Sequence, residues 1–386
     1  MDLAAPKPKG AVRAAFLHSD QMERYHYPPD CPFKAERAGQ TRQLLTSMGL
    51  LNRPGLSVVA PRPASRAELE GFHFPRYLDV LERAGRGDMD AEGLHMGLGT
   101  PDTPVFAGLY EYASLACGAS IQAAELVLDG QADVAFNPSG GYHHAHAGKA
   151  GGFCYLNDVV LACMRLAAAG RKVLYLDLDV HHGDGVQDAF YARRDVLTMS
   201  FHQNGRTLFP GTGFEDEIGA GDGLGYCVNV PLPPGTYDEA YLGAFGAVGM
   251  PIIRAYKPDA IVLELGMDCL AGDPLAQLML TNNAYADVLH RIARLDKPVV
   301  AVGGGGYHVQ NTVRGWALGW SVLCGQDEEH DPAMGMGGVM LETSDWRGGL
   351  RDRVRVPDSR QKADVDAAIA ETVEKVKANV FGLLGL

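Results

Sequence analysis

The run KVLYLDLDVHHGDG, residues 172–185, decides the fold. Its first half is apolar and rich in strand-forming residues. Its last ten positions hold three aspartates and two adjacent histidines. Unpaired charges do not persist in an apolar interior, so such a cluster is paired, hydrogen-bonded or bound to a metal. In open parallel α/β sheets, ligands bind outside the carboxyl ends of the strands. A buried strand that ends in Asp177, Asp179, His181, His182 and Asp184 therefore reads as one strand of such a sheet.

Working outward, similar apolar runs occupy 11–18, 133–137, 196–201, 259–266 and 297–304. Helical patterns lie between them, near 34–48, 104–129, 157–169, 238–256, 282–295 and 312–324. Strands that alternate with helices imply βαβ crossovers and a mostly parallel sheet covered on both faces. The reactive residues gather at the predicted strand ends, in SFHQ (200–203), LGMDCLAGD (265–273) and GGGGYH (303–308) as well as in the opening stretch. No linker or composition break divides the 386 residues, so a single domain over 1–386 is expected, with a tail from 351 ending in an amphipathic helix at 361–384.

A formal charge of −13 argues against broad phosphate-driven binding of nucleic acid. Seven cysteines without a CxxC pair argue against a disulfide framework and suit a reducing compartment. The start, MDLAAPKPKG, has no apolar core of a secretory leader, and no apolar run nears the roughly 20 residues needed to span a bilayer. A cytoplasmic protein without a membrane partner is expected. Oligomeric state is not legible.

Asp179 and His181 are two apart, so they share one side of an extended chain and can converge where the strand runs out. A carboxylate and an imidazole so placed suit Zn²⁺, with Fe²⁺ or Mn²⁺ also compatible. Asp268, just past a neighbouring buried strand, supplies a third ligand. Three protein ligands leave the open position of a catalytic site. By itself an Asp-x-His at a strand end is an ordinary hydrogen-bonded pair; the other clusters tip the reading. His143 and His144 stand together in the glycine-rich SGGYHHAHAGKAGGFCYLND (139–158), and Asp177 and Asp184 are free to orient them. Asp–His pairs of this kind fix a tautomer and stabilise an imidazolium. His146 and His202 read as structural.

The run VGGGGYHVQNT (302–312) fails the G-x-G-x-x-G test, and Gly148-Lys149 is followed by Ala150, so neither a dinucleotide nor a P-loop site is present. Four glycines instead let the chain turn sharply and offer Tyr307 as a hydrogen-bond donor to an oxyanion. Cys154 has apolar neighbours and reads as a core residue rather than a nucleophile.

With YHHAH…GFCYLND, LDLDVHHGDGVQDAFY, FPGTG, LGMDCLAGDPL and GGGGYH on the page, the chain resembles the histone deacetylase superfamily, in its bacterial, class I-like branch that includes acetoin utilization proteins. The match runs over about 12–350. The resemblance implies the arginase–deacetylase fold, with a central eight-stranded parallel sheet. It implies zinc on Asp179, His181 and Asp268, tandem histidines His143 and His144 backed by Asp177 and Asp184, and Tyr307 polarising the acyl carbonyl. It implies Phe153 and Phe209 as tunnel walls, Gly152 as a backbone contact and Asp102 at the rim; Leu275 is an apolar variant after the tunnel-floor Asp-Pro. It further implies structural K⁺ or Na⁺ sites at Asp177, Asp179, His181, Ser200 and Phe201, and more weakly at Phe190, Arg193, Val196 and Tyr226.

The expected activity is hydrolysis of an acetyl group from a lysine side chain of a protein or peptide, with His144 as main acid/base and His143 as its electrostatic partner. An acetylpolyamine or another small N-acyl amine is the alternative substrate. A binuclear manganese ureohydrolase is the rival enzyme, and a second complete Asp/His set for it is not expected here. A non-catalytic binding module would have lost Tyr307 or a ligand. The basic stretch 346–362 reads as solvated surface rather than a dock for an acidic partner.

Overall fold

The computed structural model describes residues 12–327 and 349–386. Eight strands form one all-parallel sheet: β1 Ala14–Leu17, β2 Leu56–Val59, β3 Val134–Asn137, β4 Val173–Asp177, β5 Val196–Gln203, β6 Cys227–Leu232, β7 Ala260–Glu264 and β8 Val299–Val302. Their order across the sheet is β2-β1-β3-β8-β7-β4-β5-β6. The strand alternation explains burial on both faces. Leu174 and Leu176 of β4 join one apolar cluster with Leu263 and Ala301, while Val173 and Tyr175 join another with Val262 and Val300. A strand with no solvent face must be apolar throughout, which is why these runs read so clearly.

All six strands expected from the sequence are present, each within a few residues of its predicted span. The two edge strands were not expected at their positions, for different reasons. β2 is four residues long and half exposed, so it lacks an apolar run. β6, CVNVPL, carries Asn229 and Pro231 but is fully buried. Pro231 is tolerated because β6 pairs only with β5. The helix Ser359–Val376 covers this edge with Val365, Ile369, Val373 and Val376, and Thr372 Oγ1 bonds Pro231 O at 3.2 Å. The expected 361–384 helix is thus present and protects an edge that would otherwise invite strand pairing.

The expected 238–256 helix is broken into Asp238–Ala244, a π turn Phe245–Gly249, and Met250–Tyr256. Pro251 has no N–H to give the preceding turn, and the wider turn absorbs that loss. The helix expected at 104–129 starts only at Leu109, after left-handed Gly108. Arg351 pairs with Asp327 and buried Arg314 with Asp352 at 2.5 Å, so the stretch expected as solvated surface is pinned to the fold at Arg351 and Asp352, while Val354 and Val356 beyond them are exposed; its residues 346–348 lie outside the described residues. Among the described residues, no helix is long and apolar enough to cross a membrane.

Candidate active site

β4 ends at Asp177, and the chain then turns through Leu178–His181 under a set of side-chain clamps. Asp177 Oδ1 accepts from Asp179 N at 3.0 Å, Asp179 Oδ1 from His181 N at 2.9 Å, and Asp268 Oδ1 from Val180 N at 3.0 Å. Gly305 N donates to Asp179 Oδ2 at 2.6 Å. These bonds bring Asp179, His181 and Asp268 together, with one ligand atom of each within 4.8 Å of the others and all three residues buried. His181 Nδ1 lies 3.1 Å from both Asp179 Oδ1 and Asp268 Oδ2.

That contact tests the fit to a metal. A neutral imidazole lone pair aimed at two carboxylate oxygens is repulsive, so the trio needs a proton or a cation in its centre. Burial would lower the His181 pKa, but hydrogen bonds to Asp179 and Asp268 outweigh it and push it to about 10. Burial, then the Asp179 charge, push Asp268 up to about 7. One imidazole and two carboxylates around a shared centre suit a divalent cation, which takes the place of that proton.

The tandem histidines sit in the loop after β3. Buried Asp158 accepts from Tyr142 N at 2.8 Å and Gly141 N at 3.1 Å, and Asn157 Nδ2 donates to Ala145 O at 2.8 Å. These two residues fix the loop. Both close the GFCYLND motif, where a linear pattern does not show their task. His143 Nδ1 lies 3.0 Å from Asp177 Oδ2, and His144 Nδ1 lies 2.8 Å from Asp184 Oδ1. Their Nε2 atoms are 3.0 Å apart, so one ring donates to the other. Burial would lower His143, but Glu264, Asp177 and Asp179 drive it well above the usual histidine range. Burial and then the His143 charge lower His144 to about 4. His143 is therefore the donor and His144 the neutral acceptor.

Glu264 was missed. It ends the apolar run DAIVLE and looks like strand core, yet its Oε1 lies 3.2 Å from His143 Nδ1. His143, Asp177 and Glu264 form a second trio of possible ligands, which corrects the expectation that no second acid–histidine set exists.

Tyr307 follows a backbone folded tightly against the ligands. A Cβ at Gly305 would overlap Asp268 Oδ2, so only glycine fits there. Buried Arg37, stacked on Phe33 and Trp316, donates to Gly306 O at 2.7 Å and Gly304 O at 3.0 Å. Asp273 accepts from Tyr307 N at 2.7 Å and Leu275 N at 2.9 Å, which ties the half-buried Leu275 to the same turn. Arg37 was not expected from the sequence, and Asp273 was expected only as part of the tunnel-floor Asp-Pro, not as the clamp on Tyr307 N. Burial, then Asp268, push the Tyr307 phenol well up, so it remains a donor.

Aromatic rings frame the approach. Phe209 stands over His144 at 4.9 Å and Phe153 beside Tyr307 at 5.7 Å, between ring centroids. Phe209 and Tyr307 also lie near the Asp179–His181–Asp268 trio, with ring centroids 6.4 and 6.2 Å from that of His181. Gly152 has φ +51°, and a Cβ there would overlap the His144 ring. Asp102 Oδ2 accepts from Gly152 N at 3.1 Å and its carbonyl from Phe153 N at 2.8 Å, so within the chain it braces the wall.

The residues expected to hold monovalent cations divide. Asp177, Asp179, His181, Ser200 and Phe201 meet at the carboxyl ends of β4 and β5, where Asp177 and Ser200 are in register. Phe190, Arg193, Val196 and Tyr226 gather around the opposite end of β5: Arg193 N donates to Phe190 O at 2.9 Å, and Tyr226 O accepts from Thr198 N at 2.9 Å. His202 is held by Ser200 Oγ and Gly213 O, both at 2.8 Å, as a structural histidine. His146 bridges Asp184 at 3.4 Å and Asp188 at 3.0 Å. All seven cysteines are buried and unpaired, and burial raises the Cys154 thiol well above its usual range.

Fold and site thus define a class: an enzyme of the parallel α/β type with a cation site at its strand ends, flanked by histidine–carboxylate pairs. The chain belongs to the histone deacetylase family, since the histone deacetylase domain model matches residues 31–323. It is 37% identical over 321 residues to histone deacetylase clr6 of Schizosaccharomyces pombe, covering 82% of this chain and 78% of that one. It is 40% identical over 326 residues to the acetoin utilization protein AcuC of Bacillus subtilis, covering 82% and 84%. The crystal structure of a histone deacetylase homologue from Aquifex aeolicus superposes with TM-score 0.82 at 32% identity, covering 95% of this chain and all of that one. The eight-stranded arginase–deacetylase fold and the hydrolytic enzyme class follow.

Proposed function

We propose that this enzyme hydrolyses the acetyl group from the side-chain amine of lysine in a protein or peptide, using Zn²⁺ held by Asp179, His181 and Asp268. The observation that carries this reading is the convergence of that trio, the His144–Asp184 pair and Tyr307 between two aromatic walls. Fe²⁺ fits the same donors. When bound, the divalent ion supplies Lewis-acid polarisation of the amide carbonyl and lowers the pKa of water.

The chain's own residues do the rest. His144 is neutral, and Asp184 holds its Nδ1–H, so its Nε2 is the ring nitrogen that takes a proton from the attacking water, once it lets go of the His143 Nε2–H that it otherwise accepts. His143, kept cationic by Asp177 and Glu264, stabilises negative charge that develops nearby. The Tyr307 hydroxyl donates to the carbonyl oxygen as it becomes an oxyanion. His144 then returns its proton to the departing amine. Phe153 and Phe209 suit a flat neutral acylamide, which enters without burying a charge. Phe209 is 47% exposed, so the mouth opens to the surface, and this favours a lysine carried on a polypeptide.

Monovalent ions at the carboxyl ends of β4 and β5 belong to the same proposal, as does the treatment of the whole chain as one catalytic domain. A deacylation panel tests the reading: acetyl-lysine peptides, longer acyl-lysines, acetylpolyamines and small acetylated metabolites, each with a chelator control. Turnover of acetyl-lysine peptide abolished by chelator is expected. Turnover confined to polyamines or metabolites would replace the substrate class.

A further inference from the structure

Phe209 rides on a surface loop, so other groups must hold that wall in place over the site. The far end of the loop is tied down. Thr212 Oγ1 bonds His182 Nδ1 at 2.9 Å, and Glu217 Oε1 accepts from Gly213 N at 2.9 Å and Phe214 N at 3.0 Å. The near end meets the side chain of Gln203, the last residue of β5, which is 1% exposed. The partners of this amide fix its orientation. Its Oε1 faces a backbone donor, Gln277 N, at 2.9 Å, so the nitrogen is the other atom. Nε2 then donates to Thr207 Oγ1 at 3.1 Å and reaches Gln277 Oε1 at 3.5 Å. Thr207 can accept because its own hydrogen goes to Asn204 O at 2.9 Å. The Gln203 backbone N–H donates to Val180 O, in the turn between Asp179 and His181, at 2.9 Å.

One buried residue thus joins three pieces of the site: the turn at 178–181, the Phe209 loop and the segment that carries Leu275. That segment is braced from outside. Gln277 O accepts from Gly235 N at 2.8 Å, and Gly235 O accepts from Gln361 Nε2 of the C-terminal helix at 2.7 Å. An apolar side chain would fill the same space without the cost of burying an amide; what the amide adds is direction. We propose that Gln203 is a positioning residue that sets the spacing between the Phe209 and Leu275 sides of the slot and the Asp179–His181 turn. It thereby sets how closely the slot grips the alkyl chain of the substrate. The turn is held through the backbone of residue 203, which any side chain there keeps. The two walls are held through the amide. Loss of the amide should therefore loosen the walls and spare the chemistry.

The kinetic test rests on the proposed acetyl-lysine activity and separates KM from kcat. In metal-loaded Gln203→Met, KM for an acetyl-lysine peptide should rise ~10-fold, the low end of what one methylene in an apolar pocket is worth, with kcat within about threefold and metal content unchanged. A residue that served the fold alone would lower the melting temperature and the active fraction and leave KM where it was. Thr207→Val, at an exposed position, cuts the Thr207 link and leaves the one to Gln277; it should raise KM in the same way and add nothing further in the Gln203→Met background. A wild-type KM in either folded variant overturns the inference, and so do independent effects of the two. Crystal structures of the same variants read the wall directly, and the Phe209 ring should move from its place 4.9 Å from the His144 ring. An unmoved ring overturns the inference whatever the substrate proves to be. A wild type inert on acetyl-lysine peptide, with the ring displaced in the variants, overturns the substrate reading and upholds this one.

Discussion

Replacing Tyr307 by phenylalanine removes one hydroxyl and little else. The backbone N–H of residue 307 stays on Asp273 at 2.7 Å, and the ring keeps its place beside Phe153 and His181. Arg37 continues to clamp Gly304 and Gly306. Ligand geometry at Asp179, His181 and Asp268 therefore survives, and so should metal content. What is lost is a donor in a buried site, where burial keeps the phenol protonated well beyond neutral pH. Loss of one such donor costs about 10²–10³ in kcat, or roughly 2.7–4 kcal/mol of transition-state stabilisation. The ground-state amide gains less from the same contact, so KM should change little. Steady-state kinetics on an acetyl-lysine peptide, with metal analysis of the same preparation, measures both. A variant with unchanged metal and kcat near the wild-type value would refute the oxyanion role. A variant that had lost its metal would refute the claim that the loop is held independently of the hydroxyl.

The other predictions follow from the same geometry. His144→Ala should lose ~10²–10⁴ of kcat near neutral pH, the scale of general acid–base catalysis, and His143→Ala should lose less; the reverse order in the same assay would overturn the division of labour. Gly152→Ala forces a Cβ into the His144 ring at a left-handed φ of +51° and should cost on the order of 10²-fold in kcat/KM; a crystal structure with the ring undisplaced and full activity would contradict this. In the metal-stripped protein the His181 proton stands in for the cation, with its pKa raised from 6.5 to about 10. A raised histidine stabilises fully below the unfolded value and loses that contribution as pH rises through the folded one. Thermal melts of stripped protein should therefore fall between about pH 6.5 and 10. Loaded protein should not show this fall, and identical profiles would argue against a cation in that trio.

How far the sequence could be read depended on where each residue's task was visible. The central strands showed themselves because burial on both faces leaves only apolar side chains, as in VLYLD and AIVLE. β2 was hidden by its exposed, four-residue edge position, and β6 by Asn229 and Pro231. The metal trio, the tandem histidines, their acids Asp177 and Asp184, and Tyr307 were legible because charged or titratable groups clustered at predicted strand ends. The residues that hold them were not. Asp158 acts on backbone amides sixteen and seventeen positions away, Arg37 on carbonyls of a loop over 260 positions away, and Asp273 on Tyr307 N. Nothing in a linear pattern reports such distant partners. Glu264 had a weak mark, an acid at the end of an otherwise apolar strand, the same mark that had drawn attention to Asp177.

The most direct test of the account is metal titration of fully stripped enzyme, following acetyl-lysine deacylation and bound metal together. The account predicts no activity in the stripped protein and full recovery at one divalent ion per chain. Full activity without the ion, or recovery only at two ions per chain, would contradict it.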